Sequence, residues 1–191
     1  MAAEPRIGPL PRAQWDPRTS AILERMPLRS GDQPLGIFTT LAHHPRLMRA
    51  FMVLGDCLLT KGTLPPRSRE ILILRTAWNC GSSFEWGHHV GFARTAGLSD
   101  TEIATIATAQ PMSNGPAHEQ PLCAAADELH SSSHLSDQTW TALRAVLSDG
   151  QLVELPMLVG NYVMVSYLLN ALRVANDSGV ELPDRPAQCG S

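Results

Sequence analysis

The 191-residue chain lacks close cysteine pairs, runs of like charge and the alternating apolar/polar pattern of half-buried strands. Cys57, Cys80, Cys123 and Cys189 are widely spaced and form no C-x-x-C. That spacing suggests neither a zinc site nor a disulfide framework, so a reducing cytoplasm is the expected compartment. The formal net charge is −3 and no basic block occurs, which argues against nucleic acid or an anionic membrane as partner. No apolar stretch is expected to reach transmembrane length. The opening MAAEPRIGPLPRAQWDP lacks the apolar centre of a signal peptide. With 43% hydrophobic residues, the composition suits a folded domain with a substantial core.

What is present is helical periodicity, and it predicts an all-α fold without a sheet. Helices are expected over 19–26, 45–60, 66–79, 83–95, 100–108, 119–131, 137–147 and 150–176. Pro45 suits a first helical turn, with Leu47, Phe51, Leu54 and Leu58 as the buried stripe. KGTLPP breaks the chain. In the next helix Ile71, Leu74 and Trp78 share a face, and Gly81 interrupts. Gly97 is a C-cap candidate, and Ser99 with Glu102 forms a capping box. AQPMSNGPAHEQP reads as a loop. Leu-Ser-Asp occurs at 98–100, 135–137 and 147–149, either as repeated N-cap signals or as the trace of a duplicated helical unit. The last helix, with a bend expected near Pro156 or Gly160, is apolar nearly all round from Leu152 to Leu172, which points to a homo-oligomer. Residues 1–33 read as an N-terminal arm whose Pro-rich opening, MAAEPRIGPLPRAQWDP, lies over the surface, 34–176 as the domain and 177–191 as an irregular tail.

The chemistry concentrates in EILILRTAWNCGSSFEWGHH, read as Glu70-x11-Ser82-x2-Glu85-x3-His89. Glu85 and His89 share a helix face, and Glu70 on the preceding helix can fold back toward them. A carboxylate beside an imidazole can transfer protons. A blander reading stands beside this one. Ser82 and Glu85 have capping-box spacing, and Glu70 sits where a solvated first-turn acid would be favoured by the helix dipole. His88 lies about 100° round the helix from His89. Adjacent histidines are poor metal-ligand geometry and no H-x3-H is present, so no metal is expected. Cys80 is either a small buried apolar group or a thiol activated by the following helix start. Asn161, Tyr162 and Asn170 either bond to a neighbouring helix or line a pocket. His43 and His44 belong to a helix-start turn or to a pocket rim.

Glu-x11-Cys-x2-Cys-x3-His is the signature of alkyl hydroperoxidase D-like proteins, which share a fold with carboxymuconolactone decarboxylases. Glu70, His89 and every spacing match; Ser82 and Glu85 occupy the cysteine positions. REILILRTAW and EWGHHVGFARTAGLSDTEI resemble the cysteine-less branch of the carboxymuconolactone decarboxylase-like family, and the similarity extends over roughly residues 34–175. The resemblance implies an all-α domain around a helical hairpin, assembled as a trimer, dimer or hexamer. It also implies a small-molecule substrate. Without the cysteine pair, disulfide-cycling peroxidase chemistry has no resolving partner. The expected activity is therefore cofactor-free general acid/base catalysis: decarboxylation, isomerisation, lactone opening or cyclisation. Glu70, Glu85 and His89 would be the catalytic groups. Ser82, Trp78, Trp86, His88 and Tyr162 would contact substrate. Thiol redox chemistry through Cys80 and a non-catalytic oligomeric binding protein are the rival readings.

Overall fold

The computed structural model describes residues 4–108, 116 and 119–184. Among these, nine helices carry nearly all regular structure: α1 (Pro17–Leu23), α2 (Gly36–Leu41), α3 (Pro45–Leu59), α4 (Pro66–Cys80), α5 (Ser83–Thr95), α6 (Asp100–Ile106), α7 (Gln120–Ser132), α8 (Asp137–Arg144) and α9 (Asp149–Leu172). The fold is all-α. One departure from the sheet-free expectation is a small antiparallel hairpin, β1 (Arg29–Ser30) with β2 (Gln33–Pro34). Most of the AQPMSNGPAHEQP loop lies outside the described residues.

Helix α4 is the axis of the domain, with α5, α9, α7 and α6 all packed on it. Pro65 and Pro66 set its start, where a missing N–H costs nothing. Burial covers the run Ser68 and Glu70 to Asn79, so the helix has no solvent face. A helix surrounded in this way shows no amphipathic stripe. Gly81 ends it in the left-handed conformation, φ 64°, which glycine adopts without a Cβ penalty. Its N–H donates to Trp78 O (3.1 Å), and Ser82 N–H donates to Ala77 O (2.9 Å). This pair of bonds is a Schellman motif, and it turns the chain directly into α5.

The three Leu-Ser-Asp repeats are capping signals. Ser99, Ser136 and Ser148 each accept from the backbone N–H three residues on, at the starts of α6, α8 and α9. Ser99 with Glu102 and Ser148 with Gln151 complete reciprocal capping boxes. His44 caps α3, its Nδ1 accepting from Leu47 N–H at 3.2 Å. His43 Nε2 donates to Gly8 O at 3.0 Å. Neither lines the cavity described below.

Several expectations need correction. Leu47 is exposed, and Met48 takes the fully buried place on α3. The described residues before Thr19 do lie on the surface, but the segment after them does not. Leu23 and Met26 enter a second apolar core with Leu35, Ile37, Met48 and Phe84. Helix α9 runs through Pro156 and Gly160 and reaches 24 residues with a mean hydropathy of 1.5, so it is long and apolar enough to cross a membrane. Half of that apolar window is buried within the domain, where Leu155, Leu158, Val159 and Tyr162 join the main core. The described part of the tail is irregular but fastened. Asp177 bonds His88, and Val180 and Leu182 pack on the main core. Gly87 permits this, because a Cβ there would collide with Ser178 Oγ.

Candidate functional site

Where α4, α5 and α9 meet, three ionisable side chains are buried together. Glu70 from α4 is 1% exposed; Glu85 and His89 from α5 are each 5% exposed. Glu70 Oε2 accepts from His89 Nδ1 at 2.7 Å, and its other oxygen accepts from Arg69 Nε at 3.0 Å. The opposite ring nitrogen, His89 Nε2, lies 3.5 Å from Glu85 Oε2 and 3.1 Å from the Tyr162 hydroxyl on α9. The tyrosine ring meets the imidazole edge-on, with centroids 5.0 Å apart. The imidazole is thus held from both nitrogens and across its edge. Glu70 selects the tautomer, because a carboxylate can only accept from Nδ1–H.

The solvated first-turn reading of Glu70 and the capping-box reading of Glu85 both fail here. Glu70 is inside. Ser82 is the N-cap residue of α5, but its hydroxyl makes no capping bond and is buried without a hydrogen-bond partner. Its backbone N–H is already committed to Ala77 O by the Schellman turn. Glu85 therefore has no Ser82 N–H to reach back to, and its carboxyl turns inward toward His89.

Burial raises the Glu85 carboxyl above its ordinary 4.5; the His89 charge opposes this and the Glu70 charge reinforces it. For His89, burial pulls the other way, toward a lower value. The Glu70 hydrogen bond and the charges of Glu70 and Glu85 outweigh it, so the imidazole stands above its ordinary 6.5. Burial holds the Tyr162 phenol well above 10, so it remains a proton-bearing hydroxyl. Glu85 and His89 each favour the charged form of the other, so the two titrate as a pair.

A cavity of about 370 Å³ opens against this cluster. That is within the range of small-molecule sites. Glu70, Glu85, His88, His89, Tyr162 and Asn161 form its polar wall. The remaining wall comes largely from the N-terminal segment, α2 and α3. His88 is at the rim, bonded to Asp177 Oδ1 at 2.7 Å and packed on Phe84.

Not every residue singled out in the sequence arrives there. Trp78 and Trp86 sit in the main core, Trp78 under the Arg75 guanidinium at 4.6 Å, and neither lines the cavity. Ser82 does not line it either. Cys80 points to α7, its Sγ 3.6 Å from His130 Nδ1. Asn170 Nδ2 donates to Cys80 O at 2.9 Å, linking α9 to the end of α4. The sequence reading missed Arg69, which holds Glu70, and Asp177, which holds His88. The Arg69-Glu70 adjacency was the available signal for the first; the second depends on how the tail folds over α5. Met26, Leu28, Phe38 and Phe92 were also missed as cavity lining.

The carboxymuconolactone decarboxylase family model matches residues 45–128, which contain Glu70, Glu85 and His89. Solved structures extend the likeness across the fold. A peroxidase-related protein from Ralstonia eutropha, described as an alkylhydroperoxidase AhpD core, superposes with a TM-score of 0.78 at 19% identity. That match covers 91% of this chain and 94% of the other.

Residues 45–128 thus resemble the carboxymuconolactone decarboxylase family, and the fold is that of AhpD-like proteins.

Two further matches show how varied proteins of this fold are. A peroxidase-related protein from a Silicibacter species matches with a TM-score of 0.77 at 14% identity, covering 91% and 92% of the two chains. The debrominase Bmp8, in complex with 2,3,4-tribromopyrrole, matches with a TM-score of 0.75 at 14% identity, covering 92% and 94%. No curated protein matches the sequence at a significant level. The superfamily includes enzymes, and its fold alone does not select a reaction. In this chain the signature cysteine positions hold Ser82 and Glu85.

Proposed function

We propose that this chain is an enzyme that moves protons on a small molecule held against Glu85 and His89, in the manner of an isomerase or lyase. The observation that carries the proposal is the placement of His89. One nitrogen is bonded to buried Glu70 at 2.7 Å, and the other faces Glu85 and Tyr162 at the wall of a largely apolar cavity.

The chemistry follows if Glu85 and His89 hold one proton between them. In one arrangement Glu85 is a neutral acid and His89 Nε2 a base; in the other Glu85 is a carboxylate and His89 an imidazolium. Either way the pair has one group that accepts a proton and one that donates. His89 Nε2 removes a proton adjacent to an electron-withdrawing group of the substrate, and the electron pair delocalises into that group. Glu85 returns a proton at a second position. The Glu70 carboxylate stabilises the imidazolium formed in between, and the Tyr162 hydroxyl donates to developing negative charge. Isomerisation, lactone opening and cyclisation use this sequence directly. Decarboxylation uses its second half, protonation of the carbanion left by carbon dioxide.

The protein-level reading includes self-association. Val153, Met157, Met164 and Tyr167 are exposed along one side of α9. A second copy presenting the same stripe would cover it, as in a two-fold contact. Light scattering that shows a monomer at micromolar concentration would contradict this.

Thiol redox chemistry is the second reading, and the Cys80–His130 contact favours it. A panel of unsaturated lactones and β-keto acids incubated in deuterated water separates the two. Acid/base catalysis predicts enzyme-dependent deuterium incorporation or carbon dioxide release that is lost in His89→Gln and survives replacement of all four cysteines by serine. Turnover that survives His89→Gln and vanishes in Cys80→Ser would transfer the function to the thiol.

A further inference from the structure

We propose that Arg69 selects the substrate of this site: the free edge of its guanidinium receives a single carboxylate on an otherwise apolar small molecule. The assignment rests on the acid/base reading and narrows it to a substrate class.

Arg69 faces two ways. Its Nε donates to Glu70 Oε1 at 3.0 Å, which helps to fix the carboxylate that holds His89. Its two Nη groups have no hydrogen-bond partner among the described residues, and neither is sealed off from solvent. The side chain is 19% exposed and lines the cavity. Its charge acts on both His89 and Tyr162, so the guanidinium lies near the groups assigned to proton transfer. Two N–H groups side by side in one plane match the two oxygens of a carboxylate.

The acids on the same wall do not oppose this. Asp56 is paired with Lys61, and Glu70 with Arg69 and His89. Glu85 and His89 both hold a proton more firmly than they do in water. Arg69 is the one arginine or lysine among the described lining residues, and most of the remaining wall is hydrocarbon and aromatic, including Leu28, Ile37, Phe38, Phe51 and Met52. One carboxylate therefore finds a partner, while a second would lie against hydrocarbon. A carboxylate held by arginine keeps its charge in place, which opposes its own loss as carbon dioxide. The reaction favoured is movement of a double bond in an unsaturated acid. His89 Nε2 takes a proton from the α-carbon of a β,γ-unsaturated acid, the double bond moves to the α,β position, and Glu85 returns a proton to the γ-carbon. Negative charge grows on the carboxylate oxygens in between, where Arg69 offsets it.

Three compounds test this on the full chain near neutral pH: hydrocinnamate, hydrocinnamamide and phenylsuccinate, followed by calorimetry and ligand-detected NMR. Hydrocinnamate should bind tightest. The neutral amide and the doubly charged phenylsuccinate should each be weaker by roughly tenfold, the factor associated with one charge-assisted hydrogen bond. Arg69→Gln, which keeps a donor for Glu70, should weaken hydrocinnamate roughly tenfold and change the amide by less than about twofold. Arg69→Lys should recover part of the loss, since it keeps the charge without the fork. An Arg69 that serves Glu70 alone would leave the carboxylate-to-amide ratio unchanged in both variants, which would overturn its assigned role. Amide or phenylsuccinate binding as tightly as hydrocinnamate, or no binding of hydrocinnamate in the millimolar range, would overturn the substrate class. These wild-type titrations remain decisive even if the Arg69 variants do not fold. Because they read binding and not turnover, a carboxylate-selective cavity whose turnover ignores His89→Gln would defeat the acid/base reading alone.

Discussion

Helix α4 carries two buried charges five residues apart, Glu70 and Arg75, and their surroundings differ in kind. Arg75 is surrounded by acceptors. Its Nε and Nη2 meet both Asp127 oxygens at 2.6 and 2.7 Å, and Nη1 donates to Ile106 O at 2.7 Å and to Thr108 O. Its plane rests on Trp78, and Asn79 adds a bond to the same Asp127. Glu70 belongs to a cluster that is less complete. Among the described residues Glu85 has the 3.5 Å approach to His89 as its one polar contact, and Asn161 Oδ1 has no partner. The first cluster ties α4 to α7 and to the end of α6. The second borders a cavity. A saturated buried network fixes a structure, whereas a buried cluster with spare valence beside an opening is arranged for something that is not yet bound.

The comparison can be broken most decisively at the cavity end. Glu85→Gln and His89→Gln should each lower the rate on an accepted substrate by roughly 10²–10⁴-fold, the usual share of general acid/base catalysis. The double variant should lose little more, since residues acting as a unit are strongly non-additive. Single-turnover kinetics would show this, and a fully active Glu85→Gln protein would end the proton-transfer reading. At the other end of α4, Arg75→Met should cost roughly 3 kcal/mol of stability in a denaturant titration, because buried carbonyls lose their donor and a carboxylate loses its partner. Equal effects on melting temperature at both ends would mean that both clusters are merely structural.

A pH series sharpens the same contrast. The stability tied to His89 is complete below its ordinary 6.5 and is lost as pH rises through its raised folded value. Glu85 acts in the same direction from 4.5 upward, because the folded protein binds its proton more tightly than the unfolded chain does. The melting temperature of the wild type should therefore fall more steeply than that of Glu85→Gln between about pH 5 and about pH 9. Arg75→Met should keep the wild-type slope. A smaller contrast compares two N-cap serines. Ser99→Ala should cost about 1 kcal/mol, the usual value of a lost cap. Ser82→Ala should be neutral or slightly stabilising, because its buried hydroxyl has no partner to lose.

The buried Glu70–Glu85–His89 cluster was legible in the sequence because it is local. Glu70, Glu85 and His89 lie within 20 residues of one hairpin, and their spacing survives folding. The capping serines were legible for the same reason. The cavity was not. Its outer wall includes Met26, Leu28 and Phe38, and nothing in their local pattern shows that they return to α5. Trp78 and Trp86 were assigned to the pocket by residue type. On a helix buried all round, periodicity cannot say which aromatic faces a cavity and which faces another helix. Helix α9 shows a related limit: it is long and apolar enough to cross a membrane, which the sequence reading did not expect, and only the packing of Leu155, Leu158 and Tyr162 shows the face it buries within the domain.

The most direct test of the shared proton needs no substrate. Nitrogen-15 NMR of the His89 ring, titrated in the wild type, Glu70→Gln and Glu85→Gln, reports both its tautomer and its pKa. The geometry predicts a proton on Nδ1 bonded to Glu70, a wild-type value above 6.5, and a clear fall in that value when either carboxylate is replaced. A His89 that titrates at or below 6.5 and ignores both substitutions would contradict it.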